Sequence, residues 1–214
     1  MTKCIGIISY FPNDKKVRDV RTDKLKNLVK KCDDLFGLPI IIVAQNWKEE
    51  DYNMFGDSNI IIYSYKSRLG ITEARRELRK RFLESSYDYL IMLDDDIVLI
   101  GNKEAANKYI RQIDENPGKF GTFKQLTLQL FAISKEMFNL IDYPKGSPDS
   151  GDFFEDMWLI MALKKLYPDK HFSFARGGLD PSGNAANDQY STWYFKQFNK
   201  HHIGDNTRAM VKAL

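Results

Sequence analysis

An α/β domain built around a mostly parallel sheet is what the sequence predicts, and three observations lead there. Through the first half of the chain, short runs rich in Ile and Val alternate with stretches of helical periodicity, the order produced by strands linked through crossover helices. The apolar runs are continuous rather than alternating, which suits strands covered on both faces. Three adjacent acids, Asp94, Asp95 and Asp96, follow directly after one such run, at the kind of strand end where open α/β sheets bind ligands.

The elements follow in order. Cys4 to Tyr10 is a strand rather than a signal peptide. After the loop Phe11-Pro12-Asn13-Asp14, a helix is predicted from about Arg18 to Phe36, with Val20, Leu25, Leu28, Val29, Cys32 and Leu35 at helical spacing and Gly37 as a left-handed cap. Strands are predicted from Pro39 to Ala44 and from Asn59 to Tyr65, joined by a polar link from Gln45 to Ser58. Thr72 is positioned to cap a helix from Glu73 to Glu84, whose exposed face would carry Arg75, Arg76, Arg79, Lys80 and Arg81. Tyr87 to Leu93 is the fourth strand. Beyond it the pattern changes: a helix from Ala105 to Asn116 ending at Pro117-Gly118, strands of a mixed sheet within Phe120 to Ile133, and an apolar helix from Phe154 to Leu166. From Arg176 to Gln189 the chain is rich in Gly, Asp, Asn, Pro and Ser, the composition of a long mobile loop or lid.

Composition bounds the class. The 214 residues suffice for one well-buried domain, whose texture changes after residue 100. Hydrophobic residues at 43% and charged residues at 29% exclude disorder and fibrous repeats. A formal charge of +3 is too small to indicate a nucleic-acid partner. No run approaches the roughly 18 apolar residues that span a bilayer, so a cytoplasmic protein is expected. Cys4 and Cys32, the two cysteines, resemble neither a disulfide framework nor a zinc site and are expected to be reduced and structural.

The acidic triplet carries the chemistry. Three carboxylates after a buried strand repel one another and call for a cation, and hard oxygen donors favour Mg²⁺ or Mn²⁺ bridging to substrate phosphates. If the segment stays extended, Asp94 and Asp96 point to one side and Asp95 to the other. The bland reading is a solvated turn, common for a single Asp; three acids with a basic helix just upstream favour ligand binding.

Gly70-Ile71-Thr72-Glu73-Ala74-Arg75, followed by Tyr87-Asp88-Tyr89-Leu90-Ile91-Met92-Leu93-Asp94-Asp95-Asp96-Ile97, resembles the glycine, helix and Asp-x-Asp arrangement of the GT-A-type glycosyltransferases, especially the inverting group that uses nucleotide-diphosphate sugars. The resemblance implies a GT-A-like, Rossmann-type nucleotide-sugar-binding fold with a mostly parallel mixed sheet. It implies that Asp94 lies near ribose and metal, that Asp96 is a direct metal ligand, and that Asp95 belongs to the donor-binding set. Arg75 falls where the family often has an Arg that braces the first Asp or the nucleotide, although Arg76-Glu77 follows where an Asn is more usual; a solvated basic face is the competing reading. Ser9 and Tyr10 resemble a nucleoside-contacting loop. Phe153-Phe154-Glu155-Asp156-Met157-Trp158 is similar to the family's acidic pair opening the acceptor-side helix, which implies Asp156 as base and Glu155 as its neighbour on the acceptor; an ordinary acidic helix start is the alternative. His201-His202-Ile203-Gly204 resembles a segment that supplies a further metal ligand, with His202 ahead of His201.

The activity so implied is metal-dependent transfer, with inversion, from a nucleotide-diphosphate sugar, a UDP-sugar first among donors, to a hydroxyl of a glycan, glycoprotein or lipid-linked acceptor. Trp158 and Trp193 are candidates to stack on a sugar, against a plain core role. Basic residues around Arg75 to Arg81 and Lys196 to His202 raise contact with an anionic membrane as a further expectation. A sugar-phosphate nucleotidyltransferase is the runner-up, disfavoured because Phe11 to Lys16 lacks the glycines of a phosphate loop. A non-catalytic sugar- or nucleotide-binding module is the reading from a different class.

Overall fold

The computed structural model describes residues 1–55, 59–123, 129–144, 155–175, 178–181 and 208–214. Strand β1 (Lys3–Tyr10) enters the sheet, and α1 (Lys15–Phe36) returns over it. Strands β2 (Ile40–Gln45) and β3 (Ile60–Tyr65) follow, with a 3₁₀ segment, Glu49–Phe55, between them. Helix α2 (Ile71–Glu84), β4 (Tyr89–Asp94), β5 (Leu99–Ile100) and α3 (Lys103–Asp114) complete the first half. Then come β6 (Phe120–Thr122), β7 (Phe131–Ser134), α4 (Lys135–Asn139), α5 (Glu155–Leu166), β8 (His171–Ser173) and β9 (Asp180–Pro181).

Seven strands form one sheet in the order β3-β2-β1-β4-β7-β6-β8. The first four are parallel neighbours; β7 is antiparallel to both β4 and β6, and β8 is parallel to β6. The chain therefore builds β2 and β3 on one side of β1 and then crosses to place β4 on the other. This reversal opens a crevice at the carboxyl ends of β1 and β4, the position where such sheets bind ligands.

Period-two alternation divides the core between the two faces of the sheet. Ile5, Ile7, Ile91 and Leu93 pack with Leu25, Leu28 and Cys32 of α1 and Tyr109 of α3. Cys4, Ile8, Leu90 and Met92 pack with Leu78 and Phe82 of α2 and Leu159 and Leu163 of α5. Gly6 lets α2 approach closely: a Cβ there would lie 2.7 Å from Leu90 Cδ1 and 3.0 Å from Leu78 Cδ1. Both cysteines are free and buried, and burial pushes each thiol well up from its ordinary value.

Several sequence expectations are corrected. Helix α1 starts at Lys15 because Asp14 accepts from the Val17 amide, and Val20 is exposed while Arg18 takes a buried place on the apolar stripe. Arg18 is tolerated there by an ion pair with Asp51 of the 3₁₀ segment. Thr72 is not a cap: α2 begins after Gly70, whose φ of 86° suits glycine, and Thr72 is buried in the first turn. Residues 178–181 are not loose, because β9 pairs with β5 and Leu179 is buried; the rest of the expected lid, at 176–177 and 182–189, lies outside the described residues.

Candidate functional site

Strand β4 ends at Asp94, and the chain turns at once through Asp95 and Asp96. Alternation along an extended strand thus stops applying after Asp94, which takes a different partner from Asp95 and Asp96. Asp94 is held by the guanidinium of Arg75 from α2. Arg75 is 1% exposed, so the expected solvated face does not include it. The remaining arginines of that face also have internal partners. Arg76 bonds Glu73 and the Tyr143 carbonyl, Arg79 the Phe138 carbonyl, and Arg81 pairs with Glu77 and lies over the Tyr63 ring. The Arg76 and Arg79 contacts fasten α2 to α4 and the segment after it.

Asp95 ties two elements together from within. It is buried, and its Oδ2 accepts from the Tyr10 amide at 3.3 Å, joining the end of β1 to the turn after β4. Burial raises its pKa, opposed by Arg21 and by the Ser9 hydroxyl. Ser9 is itself 1% exposed and lies beside Asp95. Tyr10 is half-buried, with the Arg68 guanidinium 5.2 Å from its ring centroid, and is the part of this loop open to a ligand.

Asp96 sits nearby with a side chain 12% exposed. Burial, reinforced by repulsion from Asp95 and Asp94, pushes its carboxyl up to about 7, against the pull of Arg21 and Lys24. From the opposite half of the chain, the first turn of α5 brings in Asp156. Burial and then repulsion from Asp94 push Asp156 up to about 6, while the Met157 amide and Arg75 act against the rise. Asp94 and Asp156, far apart in sequence, therefore share one electrostatic site with Asp96. Four carboxylates and a small number of arginine and lysine cations are gathered at the switch-point crevice.

Glu155 opens α5, but its side chain is outside the described residues, as are His201, His202 and Trp193. Trp158 is buried beside Tyr143 and serves the core. Arg21 is the site residue that sequence reasoning missed. Its signal was its place on α1, one turn before Leu25 on the face that packs against the sheet.

No protein-family model matches the sequence, and no curated protein matches it. Solved structures do match in fold. TarS 1–349 of S. aureus in complex with UDP-GlcNAc aligns with a TM-score of 0.56 at 16% identity, covering 84% of this chain and 57% of that one. A mannosyltransferase from Pyrobaculum calidifontis in complex with GDP-Man and Mn²⁺ aligns at 0.58 and 13% identity, covering 91% and 60%. Glucosyl-3-phosphoglycerate synthase from Mycobacterium tuberculosis, in complex with Mn²⁺, UDP and glucosyl-3-phosphoglycerate, aligns at 0.54 and 12% identity, covering 80% and 68%. The chain spans only 36% of the longer TarS structure. The seven-stranded sheet, its order and its helical layers are thus those of the GT-A-type nucleotide-diphospho-sugar transferase fold.

Proposed function

We propose that the chain is a glycosyltransferase that moves a sugar from a nucleotide-diphosphate sugar to a hydroxyl acceptor, using a divalent ion and inverting the anomeric centre. The observation that carries this reading is the convergence of Asp94 and Asp96, at the end of β4, with Asp156 from α5 in the switch-point crevice. The ligands named with the similar structures, UDP-GlcNAc, UDP, GDP-Man and Mn²⁺, support the donor class.

The acidic set fits Mn²⁺ or Mg²⁺. Its donors are carboxylate oxygens, and the upward shift of Asp96, caused first by burial and then by repulsion from Asp95 and Asp94, is one that a cation would relieve. Asp94 and Asp96 would hold the ion, with His202 as a third candidate. Among the described residues no group of three or more His, Cys, Asp or Glu is placed to hold a metal ion by itself. The ion, when bound, supplies positive charge against the departing diphosphate.

The protein's own groups do the remaining work. Arg75 orients Asp94 from a buried position. Asp156 takes the proton from the acceptor hydroxyl; a carboxyl near 6 is ionised at neutral pH yet more basic than an ordinary Asp. Glu155 adjoins it for contact with the acceptor. A direct displacement inverts the sugar and needs no enzyme nucleophile. A UDP-sugar is the donor proposed first, and a glycan, glycoprotein or lipid-linked molecule the acceptor. No helix among the described residues is long and apolar enough to cross a membrane. Contact with an anionic surface would fall to the basic residues around Arg75 to Arg81 and to Lys196–His202, the latter outside the described residues.

The test is thermal stabilisation by UDP- and GDP-sugars with and without Mn²⁺, followed by assay of nucleotide diphosphate release. Metal-dependent stabilisation with release supports the reading, because a ligand specific to the folded state raises apparent stability. Stabilisation without release, under every acceptor class tried, would instead indicate a binding module. No stabilisation by any sugar nucleotide would refute both.

A further inference from the structure

Arg21 and Lys24 lie three residues apart on α1 and so share a face. Both bring positive charge to the acidic cluster. The Arg21 side chain is 11% exposed. Its Nη1 donates to the Tyr10 carbonyl at 3.1 Å and stands 3.5 Å from Asp95 Oδ2, and its Nη2 stands 4.0 Å from Asp96 Oδ2.

These distances differ in kind from the other buried arginine contacts. Arg75 on Asp94 and Arg18 on Asp51 are direct, close pairs. Arg21 is fixed through a backbone carbonyl and reaches the two carboxylates only at the outer limit of an ion pair. Its action on Asp96 is therefore mainly coulombic, and the Asp96 carboxylate keeps freedom to turn toward another cation. A largely buried guanidinium is costly unless matched by charge, and Asp95 and Asp96 provide that match.

We infer that Arg21 is a positioning residue that acts as the resident counter-cation of the cluster: it holds Asp95 and Asp96 in register with the end of β1 and competes with a divalent ion for Asp96. The inference rests on the reading that Asp94 and Asp96 hold such an ion. Its consequence is a weakened affinity for the bare ion, since a fixed positive charge a few ångströms from Asp96 repels Mn²⁺ and attracts the donor's diphosphate. The donor site would then take up ion and nucleotide together more readily than the ion alone.

Free Mn²⁺ titrated by electron paramagnetic resonance at pH 8, without nucleotide, tests this in wild type, Arg21→Gln, Arg21→Lys, Lys24→Gln and Asp96→Asn. Arg21→Gln should bind Mn²⁺ about tenfold more tightly because one neighbouring charge is gone, and Arg21→Lys should return to the wild-type affinity. Lys24→Gln should shift in the same direction by a smaller factor. A purely structural role for Arg21 predicts the opposite sign, because loosened carboxylates bind the ion less well. Unchanged or weaker binding in a folded Arg21→Gln protein overturns the inference. If Arg21→Gln does not fold, unchanged or weaker binding in Lys24→Gln overturns it. Absence of Mn²⁺ binding in wild type and Arg21→Gln alike, or binding that survives Asp96→Asn, defeats the metal reading and this inference together. Asp96-dependent binding with no gain in Arg21→Gln defeats this inference alone.

Discussion

Replacing Asp96 by Asn should stabilise the metal-free protein at alkaline pH, although it removes a residue assigned to the site. Burial, with repulsion from Asp95 and Asp94, raises this carboxyl from 3.8 to about 7. Between those values the folded protein keeps a proton that the unfolded chain has released. More protons are bound to the folded state, so unfolding free energy falls as pH rises through the window. The contribution is fully present below pH about 4 and is lost above about 7. A rise of some three decades, at about 1.4 kcal/mol per decade, sets a ceiling of about 4 kcal/mol. Asp95, whose pKa is also raised, shares the repulsion, so a gain of about 1–3 kcal/mol is expected at pH 8. Asn has no proton to lose and escapes the penalty. Urea unfolding in EDTA, followed from pH 4 to pH 8, should show the variant and wild type converging at low pH and separating as pH rises. Mn²⁺ with UDP should then stabilise wild type more than the variant. A variant that is less stable than wild type at pH 8, or a difference independent of pH, would refute the electrostatic account of the cluster.

Asp156→Asn should reduce transfer by about 10²–10⁴-fold while leaving donor-dependent stabilisation in place. Because the base must be unprotonated to act, wild-type kcat/KM should rise with pH through about 6, and an acid limb at the ordinary Asp value would contradict the assignment. Arg75→Met should cost about 2–3 kcal/mol in urea unfolding, below the full cost of breaking a buried pair because Asp94 retains some hydration. Combined with Asp94→Asn, it should show a coupling energy above about 1 kcal/mol, and simple additivity would argue against the pair. Gly121→Ala would place a Cβ 2.4 Å from Phe172 Cζ and 2.6 Å from two Phe174 ring atoms. It should cost about 1–3 kcal/mol through overpacking, measured as a fall of several degrees in Tm; an unchanged Tm would refute the crowding.

The order of the first four strands and two helices was legible because each depends on local periodicity. Ile40 to Ala44 and Leu90 to Leu93 are apolar on both strand faces, and both faces are indeed covered. The placement of Asp94 at a strand end was legible for the same reason. Alternation misled at Asp95 because the strand gives way to a turn there, and local sequence does not set where hydrogen bonding to β1 stops. The basic face of α2 misled in a related way. Its arginines look solvated by composition, but the helix lies between β4 and the segment after α4, and both sides supply acceptors. Glycine- and serine-rich composition around 178–181 suggested a loop, while pairing with Leu99 and Ile100 made a strand.

By itself, then, the sequence determined the succession of elements, the apolar stripes that bury them and the acids at the end of β4, all set by interactions among residues close along the chain. Only the tertiary structure decided which charges meet. Arg75 and Asp94 are 19 residues apart and Arg21 and Asp95 are 74 apart, while Asp156 arrives from the far half of the chain. Such meetings depend on strand order and on the helix face turned toward the sheet. A residue's own neighbours in sequence do not encode either one.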